Sequence, residues 1–214
     1  MAVGEHVAVI GPSGAGPGKT TLLPVLACAL PPSAGNYVLD NVMPWRLPTR
    51  EIHRLRGRLF LVPQVPPLPP RQRVVTVVLA GRRPAMGLLS ILRSLFHPSD
   101  IPAAFEAFAR IDLESKLFER VDRLSGGERQ RAGLARALLA RDRLWLVAEL
   151  LSSLDPTRAR QALATLVDCA PECGITLVTT LHLVDAALAW FPRIVGLRDG
   201  SIAFDPPSFA WRAG

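Results

Sequence analysis

The sequence predicts a mainly parallel α/β sheet that is interrupted by a helical insertion. Short apolar runs of strand length alternate with longer segments whose apolar residues have helical spacing. A glycine-rich turn, Gly11–Gly18, lies directly between the first apolar run and the first helical segment. Residues 74–141 are predicted to be mostly helical. Strands that are separated by helices need crossover connections, which are typical of parallel sheets.

Each element is predicted from its local pattern. The predicted strands are, in order, His6–Ile10, Tyr37–Leu39, Leu59–Val62, Leu144–Val147, Ile175–Thr180, Ile194–Leu197 and Ile202–Phe204. The predicted helices are Lys19–Leu30, Ala103–Ala109, Arg129–Leu139, Pro156–Val167 and Leu183–Trp190. Residues 63–70 contain five prolines, which predict an extended loop. Pro24 lies inside the first helix and is expected to kink it.

Composition restricts the class of protein. The chain has 214 residues, of which 49% are hydrophobic and 20% charged, so it can bury a core and is not intrinsically disordered. Lys and Arg number 25 and Asp and Glu 18, which gives a net charge of +7. This charge tolerates anionic partners without selecting one. Three cysteines are too few, and odd in number, for a disulfide scaffold, and they favour a reducing cytosol.

One segment could be mistaken for a membrane span. Residues 174–191 contain Asp185 as their only charged side chain, but their first half is β-branched. A carboxylate within a bilayer costs about 2.5–3.5 kcal/mol. A strand followed by a helix is therefore the better interpretation, and we expect a soluble chain without a signal peptide.

The segment from His6 to Leu30 predicts a phosphate-binding site. Glycines between a strand and a helix allow backbone N–H groups to converge on phosphate oxygens, and the helix N-terminus adds its positive dipole. Lys19 supplies a point charge, and the Thr20 hydroxyl lies where it would meet a nucleotide-bound magnesium ion. A plain glycine-rich turn before an ordinary helix is the alternative.

A second motif is more specific. Leu124–Arg131 has the sequence LSGGERQR, in which a serine and two glycines precede a helix. A serine N-cap alone would explain Ser125, but it would not explain two glycines that weaken the helix start. The motif resembles the signature of ABC-transporter ATPases, and the resemblance extends over essentially the whole chain. It implies a P-loop NTPase fold in a single domain, 1–214, with a nucleotide-binding core at 1–70 and 142–214 and a helical signature subdomain at 71–141.

The resemblance also implies roles for individual residues. Gly11–Thr21 resembles the Walker A loop, whose residues would bind ATP: Gly11, Ser13, Gly14, Gly16, Gly18, Lys19, Thr20 and Thr21. Gln64 resembles the Q-loop glutamine, which would serve magnesium together with Thr20 and would contact a permease.

The remaining roles concern hydrolysis and the partner protomer. Ser125, Gly126, Gly127 and Glu128 would face the ATP that the partner protomer holds. Glu149 matches the general base, Asp155 lies in the D-loop that Ser153-Leu154-Asp155 resembles, and His182 matches the switch histidine.

Several further segments, which are less specific than the signature motif, resemble the ATP-binding subunits of phosphonate importers. They are Val78–Arg83, Ser94–Phe96, Leu181–Leu188, Arg193–Arg198 and Phe204-Asp205. Such a subunit would act as a homodimer on the inner face of the plasma membrane, with permease subunits and, indirectly, a solute-binding protein. An ABC protein that acts on nucleic acid is disfavoured, because the chain has no room for tandem cassettes or coiled-coil arms.

The sequence departs from the family pattern at several points, as a truncated and degenerate copy would. Seven residues separate Gly11 from Lys19, and deletion of Gly16-Pro17 would restore the family spacing. Two residues add about 7 Å of contour. Ala148 occupies the Walker B aspartate position, and Leu150 replaces a proline. We also expect that the strands before the phosphate loop, with an aromatic that stacks on adenine, are missing.

Two hypotheses about the function remain. In the first, the chain binds and hydrolyses ATP for an importer. In the second, it is a non-catalytic cassette that binds nucleotide weakly or serves as an interaction partner, because Ala148 removes a charge and a metal ligand.

Two smaller features have structural interpretations. Cys169 and Cys173 have no second cysteine pair with which to form a zinc site. The arginines of residues 129–143 are predicted to form a solvated helix face.

Overall fold

The computed structural model describes residues 1–12, 18–82, 100–140, 142–149 and 154–205. The chain divides into two compact units, which we describe separately. The first unit comprises Met1–Leu61, Asp142–Glu149 and Ala170–Gly214. The second comprises Val62–Arg141 and Leu150–Cys169, and it contains the predicted helical subdomain 71–141. The predicted Ser94–Phe96 and Gly16-Pro17 features lie outside the described residues.

A six-stranded sheet is the framework of the fold. Its strands are β1 (His6–Ile10), β2 (Leu59–Val62), β3 (Leu144–Val147), β4 (Thr176–Leu181), β5 (Arg193–Arg198) and β6 (Ser201–Phe204). Their order across the sheet is β2-β3-β4-β1-β5-β6. The β1–β4, β1–β5 and β3–β4 pairs are parallel. The predicted, mainly parallel sheet is therefore confirmed.

The antiparallel pairing of β5 with β6 follows from the turn between them. Asp199 and Gly200 form the two-residue connection between β5 and β6, with φ of 50° and 77°. Two successive positive φ values define the hairpin turn that matches the twist of the flanking strands, and Asp-Gly is a favoured sequence for it. Arg193 further ties this hairpin to the rest of the unit, because its guanidinium bonds both Asp205 and Glu5.

The first unit has a core on one face of the sheet. Alternate residues of β1, β3 and β4, among them Val9, Leu146 and Val178, pack with Leu23 of α1 (Lys19–Leu26). Period-two alternation places these side chains on one face, as expected for strands that are covered by a helix. Helix α2 (Thr49–Arg56), which the sequence analysis did not predict, also belongs to this unit.

Helix α1 is shorter than predicted. It ends at Leu26, not at Leu30, two residues after Pro24. Proline has no N–H to donate to the carbonyl one turn before it, so the helix is weakened at this point. Cys28 then adopts a positive φ of 55°, which redirects the chain. The predicted strand Tyr37–Leu39 is also wrong: a tight turn through Asp40 and Asn41 leaves only an isolated bridge between Leu39 and Val42.

The second unit is built from helices. They are α3 (Val74–Leu79), α4 (Ile101–Ala109), α5 (Gly126–Leu139) and, shared with the first unit, α6 (Pro156–Glu172). Its apolar cluster is formed by α3, α4, α5 and the short turns between α4 and α5, with Phe108 fully buried in it. Helix α7 (Val184–Trp190) follows β4 in the first unit. In the described part of the chain, no helix combines the length and the apolarity that crossing a membrane requires.

Truncation of Phe108 tests whether this cluster stabilises the second unit. The side chain of Phe108 is 0% exposed, and that of Phe105 on the same helix is 50% exposed. We expect Phe108→Ala to lower the free energy of unfolding by about 3–5 kcal/mol. Phe105→Ala, the matched control, should change it by about 0.5 kcal/mol or less. Chemical denaturation measures both, and equal losses would contradict the assignment.

Asp142 is expected to make stability depend on pH. It is only 6% exposed, and burial raises its pKa to about 6. The folded protein therefore binds a proton more tightly than the unfolded chain, so the free energy of unfolding should fall as pH rises from about 4 to 6. Asp142→Asn should remove this slope and should be more stable than the parent at pH 7.5. Denaturation at several pH values measures it; an unchanged slope in the variant would rule Asp142 out as its source.

Candidate functional site

The first part of the site lies where β1 meets α1. Lys19 is the first residue of α1, and its Nζ donates to the carbonyl oxygen of Gly11 at 2.7 Å. At Gly11 a Cβ atom would lie 2.7 Å from the carbonyl oxygen of Leu197, so only glycine fits. Gly18 caps α1 without a side chain, and no acidic residue lies in the first turn. Because no carboxylate opposes the positive end of the helix dipole, the start of α1 favours the binding of an anion.

The predicted phosphate-loop residues divide into two groups. Ser13, Gly14 and Gly16 lie outside the described residues. Gly11, Gly18, Lys19, Thr20 and Thr21 lie together at the start of α1, where the Thr20 side chain is exposed and the Thr21 hydroxyl donates to the carbonyl of Gly18 at 3.3 Å.

Lys19 is linked to both predicted catalytic residues. Its Nζ lies 3.1 Å from Nδ1 of His182, and Nε2 of His182 lies 3.0 Å from Oε1 of Glu149. An ammonium group has donors but no acceptor. Nδ1 of a neutral His182 therefore accepts from Lys19, and its Nε2–H donates to Glu149. Burial lowers the pKa of Lys19, and the nearby Glu149 carboxylate partly opposes this effect.

Glu149 and His182 are brought together by the sheet. Glu149 follows β3, and His182 follows β4, which is the parallel neighbour of β3. The carboxyl ends of parallel strands meet at one edge of the sheet, which is where open α/β sheets bind ligands. β1 pairs with the other side of β4, so Gly11 lies at the same edge.

The backbone of Glu149 is held in an unusual conformation. Its φ is 40°, which is uncommon for a residue with a side chain. Its N–H donates to the hydroxyl of Thr180 at 2.9 Å, and this bond fixes the peptide that carries the carboxylate. Thr180 was not predicted as a site residue; a threonine near the end of a buried strand was its only signal in the sequence.

Ala148 changes what this edge can bind. It is partly buried and packs against the apolar core of the first unit, and it carries no oxygen. Among the described residues no group of three or more His, Cys, Asp or Glu side chains is placed to hold a metal ion. Of the described residues at this edge, Thr20 offers a single hydroxyl to a metal ion, and the carboxylate of Glu149 contacts His182.

The signature residues form the start of α5 in the second unit. Ser125 is the N-cap: its hydroxyl accepts from the N–H of Glu128 at 3.3 Å, and the Glu128 carboxylate accepts from the N–H of Ser125 at 2.7 Å. This reciprocal arrangement is a capping box. The Ser125 N–H lowers the pKa of Glu128, so this carboxylate stays ionised.

Gly126 is not needed for packing within the described chain. A Cβ atom at Gly126 would meet nothing within 4 Å. The capping box thus accounts for Ser125 and Glu128, whereas Gly126 leaves open space at the helix start. An open helix N-terminus is suited to a negatively charged group.

Gln64 and Asp155 also lie in the second unit. Gln64 is exposed, and its backbone carbonyl oxygen accepts from Nε2 of Gln130 at 3.1 Å. Asp155 precedes α6, and its carboxylate accepts from the N–H of Arg158 at 3.0 Å, so it caps this helix. The neighbouring D-loop residue Ser153 lies outside the described residues.

The comparisons with known proteins agree on one family. The family described as ABC transporter matches residues 1–152. The Phosphonates import ATP-binding protein PhnC of Polaromonas sp. is 64% identical over 97% of this chain and 74% of its own length. PhnC 2 of Albidiferax ferrireducens is 63% identical over 96% of this chain and 73% of its own length.

Solved structures give the same result. The dimeric structure of MJ0796, a bacterial ABC transporter cassette, is similar with a TM-score of 0.81 and 26% identity, over 97% of this chain and 87% of that one. The dimeric post-hydrolysis state of MJ0796 with ADP and Pi has a TM-score of 0.79, with the same identity and coverage. With the phosphate-loop lysine, the capped signature helix and these similarities in place, the chain belongs to the ABC transporter family of ATP-binding cassettes.

Proposed function

We propose that this chain is the ATP-hydrolysing subunit of an importer of phosphonates. The named activity of its relatives supports the substrate class, since proteins that are 64% and 63% identical to it are phosphonates import ATP-binding proteins. The observation that carries the proposal is the hydrogen-bonded series Lys19, His182 and Glu149 at the edge of the sheet. It brings together a cation for phosphate, a general base and a histidine that can donate to a phosphate oxygen.

Each residue has a chemical task in this proposal. Lys19 exchanges the Gly11 carbonyl and His182 for the β- and γ-phosphate oxygens of ATP, which are stronger acceptors for an ammonium. Glu149 takes the proton of the attacking water. His182 keeps its Nε2–H directed at the reacting edge, where it bonds either Glu149 or the γ-phosphate. Gly11, Gly18, Thr20 and Thr21 surround the phosphates.

Magnesium enters this proposal with the substrate, as MgATP. Thr20 and Gln64 are the residues that we propose for it, by their resemblance to the family's ligands. The ion neutralises charge that develops on the transferred phosphoryl group. Because Ala148 contributes no oxygen, we expect weaker retention of the ion than an aspartate would give.

The assembly is also part of the proposal. Two copies would form a dimer in which Ser125, Gly126, Gly127 and Glu128 of one chain face the ATP of the other, with Asp155 near the junction. The open start of α5 supports this role, and the cassettes of similar fold are dimeric. We propose that the dimer binds permease subunits at the cytoplasmic face of the membrane and receives solute from a binding protein, with no role for nucleic acid.

A non-catalytic cassette is the second candidate, and Ala148 is the observation that favours it. Loss of one acidic ligand lowers hydrolysis without removing Lys19, Glu149 or His182 from the site. The relatives' named activity favours the importer. The two candidates differ in whether the purified chain turns over ATP.

Substitution of Glu149 tests the general base. Glu149→Gln keeps the shape of the side chain but cannot accept a proton, so we expect phosphate release to fall by about 10²–10⁴-fold. ATP binding should remain, since Lys19 is untouched. Glu106→Gln, an exposed glutamate on α4, is the matched control and should be unaffected. Phosphate release at saturating MgATP, with permease present, measures this; turnover no higher than a buffer control in the parent chain would favour the non-catalytic candidate.

A paired repair tests the departures from the family pattern. Deletion of Gly16-Pro17 combined with Ala148→Asp should raise the turnover and lower the magnesium concentration needed for half-maximal activity. Ala148→Asn in the same deletion background has the same size without the charge, and it should gain less. If the parent chain already turns over ATP as fast as the repaired chain, then neither departure impairs catalysis.

A further inference from the structure

The proline-rich loop that carries Gln64 is attached to the signature helix by a buried side chain. Gln130 lies one turn into α5 and is only 4% exposed. Its Nε2 donates to the carbonyl oxygen of Gln64 at 3.1 Å. Its Oε1 is buried and has no hydrogen-bond partner among the described residues. A buried amide atom without a partner costs free energy, and the bond from Nε2 to Gln64 is the hydrogen bond that offsets the burial of this side chain.

A second contact lies one turn further along α5. A Cβ atom at Gly133 would lie 2.7 Å from Cγ and 3.1 Å from Cβ of Pro66, and 3.7 Å from Cγ1 of Val62. The missing side chain of Gly133 therefore forms a notch that the buried ring of Pro66 occupies. The backbone conformation at position 133 does not require glycine, because this residue lies inside a helix. Close approach of the loop is the physical reason for glycine here.

The far end of the same loop is attached to the segment before α5. The N–H of Asp122 donates to the carbonyl of Pro70, and the N–H of Val121 donates to the carbonyl of Gln72, each at 3.0 Å. Between the two ends, the Leu68 N–H donates to the carbonyl of Pro66 at 2.8 Å. Proline has no N–H, so this loop has few backbone donors of its own and is held in addition by the donors Asp122, Val121 and Gln130 from outside it.

We propose that Gln130 and Gly133 are positioning residues for Gln64. They attach the Q-loop to the signature helix, so that Gln64 and the Ser125–Glu128 helix start move as one piece. The functional consequence rests on the proposed function: a ligand that engages the signature also displaces the segment that contacts the permease. The attachment itself is a property of the second unit and needs no nucleotide.

Amide hydrogen exchange of the nucleotide-free chain tests the attachment. The Leu68 N–H reports on the loop, because its acceptor is the carbonyl of the seated Pro66. Gln130→Ala should accelerate exchange at Leu68 by about fivefold, which corresponds to one typical net hydrogen bond. Arg129→Ala, at the exposed neighbouring position of the same helix, should have no effect. Equal exchange in the two variants would overturn the proposal.

A rescue separates positioning from general loss of structure. Gly133→Ala should accelerate exchange at Leu68, because its methyl group displaces the Pro66 ring. In the Pro66→Ala background the Cγ atom is gone, so Gly133→Ala should add little further acceleration. The same acceleration in both backgrounds would contradict the close contact between Gly133 and the Pro66 ring. Unchanged protection of α4 in each variant shows that the unit remains folded.

A pH series gives a readout that a purely structural role would not produce. Gln130→Glu has the same shape but presents an ionised carboxylate to the Gln64 carbonyl at neutral pH, so the loop should be released. Protonation at lower pH restores an O–H donor, and Leu68 protection relative to the parent should return. Persistent release at low pH would count against the hydrogen bond. A chain that fails to bind ATP would leave all three results unchanged.

Discussion

The parallel alignment of β1, β3 and β4 is the constraint on which the rest of the first unit depends. Parallel strands end at one edge of a sheet, and these three deliver Gly11, Glu149 and His182 to that edge. The Lys19 ammonium then connects the Gly11 carbonyl to His182, and His182 connects to Glu149. A cation, an imidazole and a carboxylate thereby share one hydrogen-bonded series, in which the ammonium determines the tautomer of the histidine.

In the second unit, the predicted site residues Ser125–Glu128 and Asp155 lie at helix N-termini, and not at the ends of strands. Ser125 and Glu128 stabilise α5 through a capping box, and Asp155 caps α6. These residues would be explained by helix stability alone. The glycines between Ser125 and Glu128 are different, because glycine weakens a helix, and at Gly126 the space beside the helix N-terminus is open. The division of tasks is physical: the polar residues hold the helix end in shape, and the glycines keep it accessible.

Ala148 is a small apolar residue beside the proposed site. It packs against the core of the first unit, directly after β3, which pairs in parallel with β4. Glu149 keeps its backbone bond to Thr180 and its contact with His182. In the proposed function, alanine at this position therefore leaves the proposed proton acceptor Glu149 and the proposed phosphate-binding Lys19 in place and removes one proposed metal ligand.

The sequence by itself determined the strand bounds His6–Ile10, Leu59–Val62 and Leu144–Val147, because each is a mainly apolar run of strand length, and the first two end at a glycine or a proline. It also indicated Lys19 through the glycine-rich turn that precedes it, and Glu149 and His182 through the resemblance to the ABC-transporter ATPases. Only the tertiary structure decided that Lys19 lies against His182, that the Thr180 hydroxyl accepts from the N–H of Glu149 and that Gln130 donates to the backbone carbonyl of Gln64. These contacts join residues that are 31 to 163 positions apart, and local patterns carry no information about such distant pairs.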